Sequence, residues 1–380
     1  MSETIYYPTA TTLMTSKTTI TGNATIGVDR TATGAYLMPS TSNAAVIIQW
    51  IKNTTSTYSQ GMSNQPFWSN AALSCTTISS SNPFYGFSGV TYTPNGIVVF
   101  NPGNNSWGIS TYNTKTNVVT KGILAVGNSN LWFGSVLLPD GRVAFAPATG
   151  TYIGIFNPTT NAFISYSIAT SGQYSHCALT PRGNVCLVPN TGTNIGIFDP
   201  KTNTYSSVLL GAAGGYTYGG LHPNGNIYLS GNAGNLGVYN ESTGLFSSIT
   251  TVNSSASGWI LTKDGNICFV KDPPVVYNPF TNTSVTGPSL GGGISGGCLL
   301  PDGRIFFGGP GNYRIWNQDT GLGVSLSTPT NAGGQGYILL PTGQVIPNPV
   351  DIANGLPIYT GCNRPVAREF CLHPFFNHTL

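Results

Sequence analysis

Short apolar runs alternate with clusters of Ser, Thr, Asn, Gly and Pro along most of the chain, and no amphipathic period of 3.6 residues stands out. That pattern predicts short strands joined by turns. One signature recurs: an apolar run, Pro-x-Gly, then a second apolar run. It reads Thr93-Pro94-Asn95-Gly96, Leu138-Pro139-Asp140-Gly141, Thr180-Pro181-Arg182-Gly183, His222-Pro223-Asn224-Gly225, Lys263-Asp264-Gly265, Leu300-Pro301-Asp302-Gly303 and Leu340-Pro341-Thr342-Gly343, with glycines 38 to 45 residues apart. Proline presets φ for a tight turn, Asp or Asn bonds the local backbone, and Gly accepts positive φ. Each copy therefore joins two antiparallel strands.

A second marker follows each of the first six turns. Asn113–Asn117, Asn157–Asn161, Asp199–Asn203, Asn240–Gly244, Asn278–Asn282 and Asn317–Gly321 all open on Asx, carry Thr fourth, and place Asn or Gly fifth, where left-handed backbone is tolerated. This is a second hairpin loop, leading to a more polar fourth strand such as Ala162-Phe-Ile-Ser-Tyr166. Four antiparallel strands in about 40 residues make a propeller blade. The expected fold is thus all-β, a single β-propeller over residues 23–360. An eroded copy at 24–59 brings the count to eight blades, with seven the alternative. Residues 61–85 read as an insertion between the first and second blades. The last unit lacks a fourth strand, which residues 10–21, within an N-terminal arm of 1–22, are expected to supply in closing the ring.

Composition narrows the function. Charged residues make up only 7% of the chain, net charge is +3, and the 14 basic residues are scattered, so no groove for nucleic acid is expected. The N-terminus has no signal-peptide pattern, and no run approaches the roughly 18 apolar residues of a membrane helix, so no membrane insertion is expected. The seven cysteines lack metal-ligand spacing, and several fall within strands as reduced, buried residues.

Catalytic chemistry is not indicated. Asp29, Asp140, Asp199, Glu241, Asp264, Asp302 and Asp319 lie on turn markers, while Glu3, Asp272, Asp351 and Glu369 are dispersed, so no carboxylate pair emerges. Gly293-Ile-Ser295-Gly-Gly297 matches a nucleophile-elbow string without the strand-to-helix context that gives it meaning. His176 and His222 sit on inner strands as structural residues. Cys371, His373 and His378 match no zinc spacing, and neither metal nor cofactor is expected.

One column is more suggestive. Seven residues before the turn proline stand Phe87, Trp132, Tyr174 and Tyr216, followed in later units by Ala256, Ile294 and Gly334. These aromatics are candidate ligand-binding residues at the channel mouth, able to stack on sugar or grip a partner; otherwise they wedge between blades as core. Residues 361–380 form a candidate docking tail, with Arg364, Arg368, Phe370, Phe375 and Phe376 too apolar a set for a free solvated end. A completed propeller has satisfied its own strand edges, which favours docking into a neighbouring subunit over folding back.

The wording Leu138-Pro-Asp-Gly-Arg-Val143 and Asn194-Ile-Gly-Ile-Phe-Asp-Pro-Lys-Thr-Asn-Thr-Tyr205 resembles propeller repeats of tailed-phage and large-virus proteins, and differs from kelch and WD40 signatures. The resemblance implies a non-enzymatic virion structural protein of the tail or capsid exterior, assembled in the host cytoplasm. Its implied role is an assembly or host-attachment module, with other virion proteins and a host surface glycan as partners. A glycan-binding lectin-like propeller is the alternative, and a cryptic hydrolase the second alternative.

Overall fold

The computed structural model describes residues between 74 and 360, less several short connections of which 123–131 and 327–333 are the longest. Six blades each use four consecutive antiparallel strands: 87–120, 132–167, 174–209, 216–249, 259–286 and 296–326, called blades 1 to 6 in that order. Blade 3 shows the plan, with Tyr174–Leu179 innermost, then Val185–Pro189, Asn194–Asp199 and Thr204–Leu209 at the rim. The two inner hairpin strands are almost wholly buried and the fourth alternates exposed and half-buried, as its polar sequence requires.

A further four-stranded sheet is composite. Gly334–Leu339, Gln344–Pro349 and Leu356–Thr360 supply its first three strands, and Ser74–Ile78 pairs antiparallel with the third, Ser74 opposite Thr360 and Ile78 opposite Leu356. The closing strand is therefore 74–78, inside the stretch read as an insertion, and not 10–21. The reason is geometric. Ile78 lies eight residues short of the inner strand at Phe87, a step within the range that joins each other outer strand to the next blade. Side chains of Tyr337, Ile338 and Val345 share one core with Val90, Val98 and Phe100 of blade 1 and with Phe306 and Tyr313 of blade 6. The ring is thus shut by six contiguous blades and this composite sheet, and the eight-blade count does not hold. Residues 1–22 and the eroded copy at 24–59 lie outside the described residues.

The turn chemistry follows the sequence closely. Gly96, Gly141, Gly183, Gly225, Gly265, Gly303 and Gly343 all have φ between 76° and 87°. The fifth loop residues Asn117, Asn161, Asn203 and Asn282 sit at φ 56–58°. The opening Asx caps its loop, as where Asn157 Oδ1 accepts from the Thr159 amide at 2.9 Å. Because strand direction alternates, every Pro-x-Gly turn and every Asx loop lies at one edge of the ring, the turn face. The remaining connections form the opposite edge, the entry face.

On the turn face, each blade is stapled to the next by different chemistry. Asn95 Nδ2 donates to Thr159 Oγ1 at 3.2 Å, and Arg142 Nη2 donates to the Pro200 carbonyl at 3.3 Å. The buried carboxylate of Glu241 accepts from Thr180 Oγ1, the Arg182 amide and Asn184 Nδ2 at 2.7, 3.1 and 2.8 Å. Lys263 pairs with Asp319. Between blades 4 and 5 the staple is His222, whose Nε2–H donates to the Gly265 carbonyl at 2.6 Å while Nδ1 accepts from the Asn224 amide at 3.2 Å.

That staple requires a neutral ring. Burial, outweighing the hydrogen bonds with Gly265 and Asn224, holds the His222 pKa below its ordinary 6.5. A depressed folded value means its stabilisation is complete above the unfolded value and is lost as pH falls through the folded one. Thermal stability is accordingly expected to fall as pH drops below about 6.5, and to fall less in His222→Gln. Equal pH slopes in parallel melting curves would show that His222 does not report on this interface.

Candidate functional site: the channel mouth

The seven inner strands stand side by side round the axis, each neighbouring the next and the last neighbouring the first. Trp132, Tyr174 and Tyr216 begin three of them, but their rings do not line the channel. Trp132 is fully buried, its Nε1–H donating to the Tyr152 carbonyl at 3.4 Å and its ring 5.1 Å from Phe163 on the rim strand. Tyr174 Oη lies 2.8 Å from Tyr205 Oη, and Tyr216 meets Phe246 edge-on at 6.1 Å. A glycine in the third strand opens the slot between each pair. A Cβ on Gly196 would stand 2.9 Å from both Tyr174 Oη and Tyr205 Cε2, and one on Gly237 would meet Tyr216 and Phe246 at 2.9 and 3.0 Å. These aromatics are blade core, which corrects their placement at the channel mouth. Phe87 opens the inner strand of blade 1, and its side chain is outside the described residues, as are Arg364, Arg368, Phe370, Phe375 and Phe376.

In blades 2 to 5 the next residue along is more exposed than the one before it. Six positions before the turn proline, or before Lys263 in blade 5, stand Ser88, Phe133, Ser175, Thr217, Ser257, Ser295 and Gln335. Phe133, Ser175, Thr217 and Ser295 are half-buried and Ser257 is exposed. A bulge falls here in most inner strands, where the register slips between Phe87 and Gly89, Tyr174 and His176, Tyr216 and Tyr218, and Gly334 and Tyr337. In blade 2 the slip comes one residue later, between Phe133 and Ser135. A bulge leaves a residue out of the ladder and re-aims its side chain. Ser175 Oγ donates to the Tyr216 carbonyl of the next blade at 2.8 Å, so one hydroxyl also ties neighbours together.

One residue deeper the column is almost all glycine: Gly89, Gly134, Gly258, Gly296 and Gly336, interrupted only by His176 and Tyr218. These two rings meet at 4.3 Å, tilted by 45°, and Gly134, at φ 57°, lies so close that a Cβ would stand 2.7 Å from His176 Cα. Burial raises the Tyr218 phenol pKa, so it stays a hydrogen-bond donor. Deeper still, Thr91 Oγ1 and Ser135 Oγ meet at 2.8 Å between blades 1 and 2.

Charge is sparse at this face. Among the described residues of its connections it is confined to Lys271, Asp272 and Asp351, with Arg314 on an adjoining strand. Partial burial pushes the Asp272 carboxyl up. Bonds from the Leu290 amide, Ser289 Oγ and the Gly292 and Gly291 amides more than offset it and hold the group below the usual carboxylate range. Arg314 Nε donates to the Leu290 carbonyl at 2.7 Å, fixing the same loop from the other side. Among the described residues no cluster of three or more His, Cys, Asp or Glu could hold a metal ion. Cys177, Cys186, Cys268 and Cys298 are free and buried, with burial raising each thiol pKa. Ser295 of the elbow-like string leads into an inner strand, with Oγ 3.4 Å from the Gly308 carbonyl.

No protein-family model and no curated protein matches the chain. Solved structures do. A streptogramin B lyase superposes with a TM-score of 0.63 at 15% identity, covering 76% of this chain and 97% of its own. A catalytically inactive virginiamycin B lyase from Staphylococcus aureus with quinupristin gives 0.66 at 14%, covering 76% and 99%. A chain of the mitotic checkpoint complex gives 0.61 at 10%, covering 82% and 98%. Identities this low establish the propeller fold alone. None of these neighbours is a phage or virion protein. The expectation that the chain is not an enzyme is overturned by the first two, which are enzymes built over nearly their whole length on this fold.

Proposed function

We propose that this propeller recognises a neutral, hydroxyl-rich ligand, a glycan chain, at its channel mouth. The observation that carries the reading is a set of hydroxyls at the entry ends of the inner strands, Ser175 and Thr217 at bulges and Ser257 and Ser295 just before their strands, with Phe133 half-buried at the same level. A pyranose ring offers an apolar face for such an aromatic and hydroxyls for the surrounding donors and acceptors. The near absence of charge favours uncharged over acidic sugars, since an acidic sugar gains most from a cation placed to meet it. The repeat resemblance supports a role for this binding in host attachment by a virion; mass spectrometry of purified particles tests that location, and absence from them would contradict it. A glycan array tests the ligand class. Neutral oligosaccharides are expected to bind and their sialylated counterparts to bind no better.

A second reading is supported by His176, whose ring lies 4.3 Å from that of Tyr218 one residue further into the inner strands. An imidazole can take or give a proton, and the lyases of the same fold make turnover worth testing directly. Incubation with a streptogramin B, followed by mass spectrometry, would show loss of the starting compound and its dependence on His176. An unchanged compound would remove this reading for that substrate and leave glycan recognition standing.

A further inference from the structure

The turn face exposes large apolar side chains on four of its blades, one of them, Phe280, with its ring 5.6 Å from that of His222. At the start of the fourth strand, just past the Asx loop, blades 1, 4 and 6 expose Val118, Leu245 and Leu322 by 54%, 68% and 68%. Blade 5 exposes Phe280 from the loop itself by 67%. At the same edge, blades 2 and 3 begin their fourth strands with Ala162 and Thr204, so no packing rule demands a large apolar side chain there. The exposed residues are not spread evenly. Beside the Asx loops they fall on blades 4, 5 and 6 and, beyond the composite sheet, on blade 1, while blade 2 exposes Ile164 further along its fourth strand and blade 3 exposes Leu209 at that strand's far end.

The composite sheet, between blades 6 and 1 in this arc, is where the C-terminal segment leaves the ring. Thr360 ends its third strand, and third strands end on the turn face. Residues 361–380 follow, bringing Phe370, Leu372, Phe375 and Phe376. Fully extended, 20 residues reach up to about 65 Å, ample to run along the rim over blades 6 and 5.

We propose that residues 361–380 dock on the turn-face rim of their own propeller, seating phenylalanines against Leu322 and Phe280. The expectation that this tail enters a neighbouring subunit rested on the premise that a closed propeller keeps no surface to cover, and the arc removes that premise. An aromatic anchor on an apolar rim gains from the area it hides from water.

Photo-crosslinking of the full chain tests this. With Leu322 replaced by p-benzoylphenylalanine, irradiation is expected to join position 322 to a peptide within 361–380 while the product keeps the mass of one chain. The same probe at Thr204 is expected to give no such product. The paired change Phe375→Ser and Phe376→Ser should lower the yield at 322 roughly tenfold, the loss expected for removing apolar anchors. A crosslink to residues 1–73, a crosslink to a second copy, no crosslink, or a yield unmoved by the serine pair would each overturn the proposal. Glycan binding at the opposite face is unaffected by any of these outcomes.

Discussion

Replacing Trp259 with alanine is expected to destabilise the fold by about 4 kcal/mol, the upper part of the range for emptying a buried large side chain. Trp259 is 98% hidden from solvent and fills the seam between blades 4 and 5. Its Nε1–H donates to the Tyr228 carbonyl at 3.2 Å, and its ring meets Tyr218 edge-on at 5.8 Å. The facing residue is Gly220, where a Cβ would come within 2.7 Å of Trp259 Cζ2, so the indole occupies the volume that the glycine leaves free. Truncation opens a cavity between two sheets that cannot both close on it, because each is also held by its other neighbour. Denaturant titration of Trp259→Ala measures the loss. A change below about 1 kcal/mol would mean that the blades re-pack freely and that the seam is not rigid.

Glu241→Ala is the second large effect, expected to cost about 3 kcal/mol. The alanine removes an acceptor from three donors at once and leaves Thr180, Asn184 and the Arg182 amide at a seam that is largely closed to water. Glu241→Gln keeps one carbonyl oxygen but turns an amide NH2 toward donors, and is expected to lose about half as much. Thermal denaturation of the two variants beside wild type gives the ordering. Equal stability of Glu241→Ala and wild type would show that water replaces the carboxylate and that the staple adds nothing.

Much of the architecture was legible in the chain. Pro-x-Gly spacing marked the turns joining first to second strands, and the Asx loops marked those joining third to fourth, with left-handed geometry at the fifth position as expected. Blade number was not legible. Ring closure is decided by a non-local pairing, Ser74–Ile78 with Leu356–Thr360, that local pattern cannot report. Glu241 was read as a turn residue because it sits beside Asn240 in the marker, whereas its carboxylate reaches across to the preceding blade.

The site failed by one position. Trp132, Tyr174 and Tyr216 are packed inside their blades, whereas Phe133, Ser175 and Thr217 beside them are half-buried. A signal for choosing between them existed. Gly154, Gly196 and Gly237 sit mid-way in third strands, and Phe163, Tyr205 and Phe246 sit second in fourth strands, which together outline a slot sized for an inner-strand ring. Read jointly, those three columns place the aromatics in the blade and leave the hydroxyls for the mouth.

The channel mouth is tested most directly by isothermal titration of a neutral oligosaccharide, selected on the array, into wild type, Phe133→Ala and Phe280→Ala. Phe133 stands at the entry end of the inner strand of blade 2 and Phe280 on the opposite, turn face. Loss of the stacking platform is worth about 1.4 kcal/mol, so Phe133→Ala is expected to bind roughly tenfold more weakly, with Phe280→Ala matching wild type. Equal affinity of Phe133→Ala and wild type, or loss of binding in Phe280→Ala alone, would contradict a ligand site at the mouth.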